Sequence, residues 1–172
     1  MIDTDMLGVE IPHLRRYARA LMREREAADD LVQDTLERAW RKRTLWRPSG
    51  RLRSWLFRVL YRLYLDRRPR MQRAHRNLVT LDSVRPAAAL EAHSELSLHC
   101  LDVFAAIDEL PDRQRAILLL MAVEQPDYRT GARMLGLKEG TFRSRLSRAR
   151  EQLHDRLASD GTMADSPEDA HG

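Results

Sequence analysis

A single cysteine in 172 residues, Cys100, excludes a disulfide framework and a multi-cysteine zinc site within one chain. No apolar run approaches the roughly 20 residues that a membrane span requires. The opening "MIDTDMLGVEIPHLRR" lacks a basic segment followed by an apolar one, so no secretory leader is expected. There is no Gly-rich phosphate loop and no Ser, His and Asp set that spacing alone would assemble. His93, His99 and Cys100 lack a fourth ligand, and the two histidines stand six apart, so no metal is expected. These absences point to a soluble cytoplasmic protein with no cofactor and no enzymatic activity of its own.

What the chain does have is charge and helical apolar spacing. At 43% apolar and 33% charged residues it can form modest helical cores, in one domain or two small ones. The net charge of +4 conceals an uneven distribution. Residues 41 to 76 carry thirteen Lys or Arg against one acid, Asp66, whereas 77 to 142 carry ten acids against six bases, and 159 to 172 carry four acids and no base. A basic block of this density suits nucleic acid above all.

Three helices are expected in the first module. One begins near Ile11, with Leu14, Tyr17, Ala18 and Leu21 on one face; the second carries Ala28, Leu31, Val32, Leu36, Ala39 and Trp40. A turn at Pro48, Ser49 and Gly50 precedes the third, "RLRSWLFRVLYRLYLDRRPR", which Pro69 is expected to stop. Its apolar stripe is Leu52, Trp55, Leu56, Val59, Leu60 and Leu63, so Phe57, Arg58, Tyr61, Tyr64 and Arg68 point the other way, rings among arginines. Boundaries follow at 1–76 for the first module, 77–98 for a linker of weak periodicity, 99–158 for the second module and 159–172 for a disordered acidic tail.

In the second module Pro111 stands at the start of a helix that turns Ile117, Leu118 and Met121 inward. "PDYRTGARMLGLKEGTFRSRLSRAREQLHDRL" then has helix-turn-helix spacing: a short helix, a turn at Gly136, and a longer helix from about Glu139. On that helix Phe142, Leu146, Ala149, Leu153 and Leu157 share a stripe, which leaves Arg143, Ser144, Ser147 and Arg148 outward, a polar cationic face suited to a major groove. The expected fold class is all-α, two small helical domains on a flexible tether, the second containing the helix-turn-helix.

Two motifs in order carry a family resemblance. "ADDLVQDTLERAW" with "LRSWL" and "LDRRPR" resembles the second conserved region of bacterial RNA polymerase sigma factors, and "IDELPDRQRAILLL" with "GLKEGTFRSRLSRAREQL" resembles the fourth. Their spacing is similar to the extracytoplasmic-function class, and "IPHLRRYARAL" and "LWRPSGRLRSWLF" are similar to the general-stress type of alphaproteobacteria. The resemblance implies a promoter-specificity subunit with three kinds of partner: core RNA polymerase (clamp helices of the largest subunit and the flap region), promoter DNA both single-stranded and duplex, and an anti-sigma factor.

It also implies roles. Asp30, Gln33, Asp34 and Glu37 would grip polymerase; their carboxylates form an acidic ridge that DNA phosphates would repel and a basic protein surface would attract. Trp46 and Arg47 would hold a flipped minus-ten base. Phe57, Tyr61 and Tyr64 would stack on unpaired bases while Arg58, Arg62 and Arg68 track phosphates. Thr141, Arg143, Ser144, Arg145, Ser147 and Arg148 would face the minus-thirty-five duplex, where arginine favours guanine. The alternative for the rings is packing against the preceding loop or the second helix.

Two positions depart from the family wording: Arg62 where Asn is usual, and Gly131 where Ile is usual. Glycine forfeits about 1 kcal/mol of helix propensity and a packing group, so a loose supporting helix is expected there. Competing functions are an autonomous helix-turn-helix regulator and a sigma-shaped mimic that sequesters a regulator.

Overall fold

The computed structural model describes residues 3–22, 24–46, 51–78 and 98–163, with the side chains of 45, 68–78, 98–102 and 160–163 outside the description. Among the described residues seven α-helices run in order: α1 Thr4–Leu21, α2 Arg25–Arg41, α3 Leu52–Leu78, α4 Leu98–Asp108, α5 Asp112–Glu124, α6 Tyr128–Leu135 and α7 Glu139–Met163. A single 3-10 turn, Arg43–Leu45, follows α2. There is no strand among the described residues.

Helix α1 starts seven residues before Ile11 because Asp3 caps it, its carboxylate accepting from the Met6 N–H at 2.8 Å. Pro12 lies inside it. Leu14, Tyr17, Ala18 and Leu21 are buried as the three-and-four spacing requires, against Ala28, Leu31, Val32 and Ala39 of α2 and Leu52, Leu56 and Leu60 of α3. Trp40 departs from that stripe: it is 41% exposed, with the Arg43 guanidinium 4.7 Å above its ring, because the turn after α2 gives the indole a cation instead of a core.

Pro69 does not stop α3, which continues to Leu78. A proline removes one backbone donor and strains one turn, and that cost is borne where the hydrogen-bonded turns on both sides carry the helix through. The same cooperativity extends α7 to Met163, so residues 159–163, assigned above to an unstructured tail, are helical. The turn at Pro48, Ser49 and Gly50, the segment 79–97 with His93, and residues 164–172 lie outside the described residues.

In the second module Pro111 sits at the cap of α5, whose buried residues are Ala116, Ile117, Leu119 and Leu120, together with Arg115. Leu118 and Met121 are half-buried. Asp127 caps α6 by accepting from the Thr130 N–H and hydroxyl, both at 2.8 Å. Gly136 closes α6 in the left-handed region, φ +66°.

Gly131 corrects the expectation of a loose helix. A Cβ there would lie 2.7 Å from Cζ of Phe142, so the missing side chain is what lets the Phe142 ring seat against α6. Glycine loses helix propensity but gains the contact of a fully buried ring.

The two modules are docked. Helix α3 lies against α6, and α1 against α5, so that Tyr17, Phe57, Tyr61, Ile117, Leu120, Leu135 and Phe142 belong to one continuous buried cluster.

Candidate nucleic-acid and protein interfaces

The acidic ridge is open. Asp30, Gln33, Asp34 and Glu37 are exposed along α2, on the side away from Leu31, Val32 and Ala39. Two cations temper it: Arg67 of α3 bonds the Asp34 carboxylate, and Arg41 reaches Glu37 at 3.4 Å. Within it Gln33 donates to Glu37 at 3.3 Å. Such exposed pairs contribute little to stability, which leaves their carboxylates available to a stronger cationic partner.

The α3 face opposite the first module's core is covered, contrary to expectation. Phe57 is 0% exposed, Tyr61 4% and Tyr64 0%. The Phe57 ring stacks on Tyr17 of α1, centroids 5.4 Å apart at 22°. Helices α5 and α6 of the second module pack against α3 as well. Burial pushes the Tyr61 hydroxyl pKa up, and the nearby cations Arg145 of α7 and Arg113 of α5 pull partly against that rise. Helical spacing identifies one apolar stripe, whereas on the other side α1 meets Phe57 and the second module meets Arg58 and Tyr61.

Arg58 is engaged as well. Its Nε and Nη2 donate to the Arg133 carbonyl at 3.3 and 3.0 Å, a cation satisfying the open carbonyls at the C-terminus of α6. Gly136 makes room for it, since a Cβ there would meet the Arg58 side chain at 3.1 to 3.3 Å. Arg62 is exposed. Trp46 is half-buried against the core with its indole N–H buried and without a hydrogen-bond partner among the described residues, and Arg47 and the Arg68 side chain lie outside the described residues.

The outward face of α7 is open. Arg143, Ser144, Ser147 and Arg148 are exposed, Thr141 is half-buried, and the half-buried Arg145 turns toward Tyr61 and the seam. Arg143 is held from two sides. Its Nη2 donates to Glu139 at 2.7 Å, and its guanidinium sits 5.1 Å from the ring centre of Tyr128. The ion pair was legible as an i, i+4 spacing. The Tyr128 stack crosses the turn from α6 and has no such signal. Phe104, 55% exposed on α4, is a large apolar surface that the sequence reading did not single out.

Polar bonds rim the seam between the modules. The buried Tyr17 hydroxyl donates to the Ala116 carbonyl at 2.9 Å. Arg115, 3% exposed, pairs with Asp108 at 2.9 Å and reaches the Ala20 carbonyl of α1 at 3.4 Å. Glu124 at the end of α5 receives Arg16 Nη2 at 2.7 Å and Nε at 3.1 Å, with His13 Nδ1 at 2.9 Å. Beside it a cleft of about 570 Å³ opens between Arg51 and Ser54 at the start of α3 and Gln125, Asp127 and Met134.

Residues 7–61 match the family described as the sigma2 domain of PhyR, and residues 100–153 match sigma-70 region 4. The chain is 34% identical over 169 residues to the ECF RNA polymerase sigma factor EcfG of Rhodopseudomonas palustris, covering 96% of this chain and 90% of that protein. Its fold is similar to the sigma factor RpoE of Bartonella quintana, solved in complex with the anti-sigma factor NepR, at TM-score 0.66 and 29% identity over 91% of this chain and 96% of that one. It is likewise similar to CnrH, solved in complex with the cytosolic domain of CnrY, at TM-score 0.63 and 26% identity over 94% of this chain and 88% of that one.

Proposed function

Because the chain belongs to the extracytoplasmic-function sigma factors of bacterial RNA polymerase, we propose that its three surfaces divide the work of promoter recognition. The protein is an alternative sigma factor that recognises promoters and initiates transcription. The ridge of Asp30, Gln33, Asp34 and Glu37 docks on the clamp helices of the largest polymerase subunit, and the exposed Phe104 offers apolar contact to the flap region. The face of Phe57, Arg58, Tyr61, Arg62 and Tyr64, with Trp46, Arg47 and Arg68, receives the unpaired minus-ten strand. The open face of α7 reads the minus-thirty-five duplex through Arg143, Ser144, Ser147 and Arg148, flanked by Thr141 and Arg145. No helix among the described residues is long and apolar enough to cross a membrane, which fits work beside polymerase and DNA in the cytoplasm. The RpoE neighbour is solved with an anti-sigma factor, and we assign this chain a partner of that kind.

The carrying observation is the exposed ridge: carboxylates gathered on one helix of an otherwise cationic module, uncovered while the rings are covered. Asp30→Arg with Asp34→Arg is expected to abolish co-purification with core polymerase while leaving helicity and melting unchanged. Arg67→Ala, which frees Asp34 without altering the ridge, is expected to retain binding. Retained binding by the double reversal would place the interface elsewhere. Run-off transcription with core polymerase separates the sigma factor from a mimic, which gives no transcript. A gel shift without polymerase separates it from an autonomous regulator, which binds duplex tightly by itself.

A further inference from the structure

Phe142 and Arg143 are neighbours on α7 and point to opposite sides: the Phe142 ring is fully buried, whereas the Arg143 side chain is exposed. Tyr128, the first residue of α6, reaches both. Its ring centre lies 6.5 Å from that of Phe142, the two rings tilted at 48°, and 5.1 Å from the Arg143 guanidinium carbon. At 37% exposed, Tyr128 links the interior of the second module to its outer face.

The seat of this stack goes back to Gly131. It is buried on α6, and a Cβ there would stand 2.7 Å from Cζ of Phe142 and 3.2 and 3.3 Å from Cε2 and Cε1. Those atoms belong to a ring in the core, not to the end of a flexible chain, so even alanine displaces it. The displacement carries to Tyr128, because Tyr128 and Gly131 are one turn apart on α6 and face the same ring.

Arg143 gains from a fixed backing. Guanine is read by two donors of one guanidinium plane set against O6 and N7, and an exposed arginine gives up rotamer freedom to reach that geometry. Glu139 holds one terminal nitrogen at 2.7 Å, which fixes a single point, and the Tyr128 ring backs the rest of the group. Beside the stack lies an open notch of about 220 Å³ lined by Tyr128, Arg143, Leu146, Ser147 and Arg150, into which the arginine can fold once the ring is gone.

We propose that Gly131, Phe142 and Tyr128 form a positioning relay that aims the Arg143 guanidinium at a guanine of the minus-thirty-five duplex, so that Gly131, a buried residue, sets base choice. This rests on the reading of the α7 outer face as the minus-thirty-five reader. Arg143 makes the base contact; the other three act through it.

The test uses holoenzyme reconstituted from core polymerase and the full chain, bound to a duplex library randomised across the minus-thirty-five element, with bound and free fractions sequenced. Arg143→Ala is expected to lower guanine preference at one position by about fivefold or more. Tyr128→Ala is expected to lower it about two- to fivefold at that same position, with the salt dependence unchanged, whereas Tyr128→Phe keeps the ring and the preference. Gly131→Ala is expected to match Tyr128→Ala and to add nothing in its background. Phe142→Leu with Gly131→Ala relieves the clash without restoring the ring, so thermal melting is expected to recover while discrimination does not. Full preference in Tyr128→Ala, with Arg143→Ala still losing it, would overturn the relay and leave the α7 reading standing. A loss in Tyr128→Ala at every position alike, with a shallower salt dependence, would make Tyr128 a phosphate contact and overturn the relay too. Full preference in Gly131→Ala, or losses that add, would overturn the part given to Gly131. No positional loss in Arg143→Ala would remove the base-reading role of Arg143 on which the relay rests.

Discussion

Helices α3 and α7 each set cations on the side opposite an apolar stripe, and the fold treats the two outer faces differently. On α7, Arg143, Ser144, Ser147 and Arg148 stay in water, one guanidinium held by Glu139 and Tyr128. On α3, Phe57, Tyr61 and Tyr64 are buried, Phe57 against Tyr17 of α1, and Arg58 caps a helix of the second module. The difference lies in the rings. An outer face of serines and arginines loses more hydration than it gains by burial, whereas three aromatic rings gain from any apolar surface that reaches them. A face built to stack on bases is for that reason a face that its own chain can cover.

The largest expected effect that would break this comparison is Phe57→Ala. Emptying a fully buried ring site against Tyr17 is expected to cost about 3 to 5 kcal/mol in urea unfolding, while Arg148→Ala stays within about 0.5 kcal/mol. Equal losses would mean that Phe57 is not a core residue.

Gly131→Ile restores the residue usual in the family and sharpens the account of α6. It is expected to destabilise by about 1 to 3 kcal/mol, because the new Cβ collides with Phe142, and Phe142→Leu in the same background is expected to recover part of the loss. A double-mutant cycle with no coupling would refute the pairing.

On the open face, Arg148→Ala is expected to change minus-thirty-five preference by about 1 to 3 kcal/mol if it reads a base. A uniform loss on matched and scrambled elements, with a shallower salt dependence, would assign it to phosphate instead. Tyr128→Ala is a smaller perturbation. Losing an exposed stack on Arg143, it is expected to weaken discrimination by about 0.5 to 1 kcal/mol, detectable as altered preference without altered melting.

The smallest effect concerns Asp127. The Thr130 backbone N–H, then its hydroxyl, hold the Asp127 carboxyl below its ordinary pKa. A lowered folded-state pKa contributes stability that is present above the ordinary carboxylate range and is lost as pH falls through the lowered value. Asp127→Asn keeps a cap without the charge, so its thermal melting is expected to fall less than the wild type's between neutral and acid pH.

Much of this was legible without coordinates. The stripes of α1, α2 and α7, the cap at Pro111, the turn at Gly136 and the acidic ridge follow from local spacing, because each concerns neighbours within one or two turns of helix. Helix ends were less so, since Asp3, Pro69 and Met163 show that capping and cooperativity outweigh single breakers. The fate of the α3 rings, the partner of Glu124 and the use of Gly131 could not be read from spacing at all. Each depends on a contact between residues distant in sequence, Tyr17 with Ala116 or Arg16 with Glu124, and helical periodicity specifies that a face is apolar or charged, not which body meets it. Sequence by itself determined the all-α class, the buried stripes and the family; only tertiary structure decided that the second module docks on the first, because apolar area is satisfied by whatever surface the chain brings within reach.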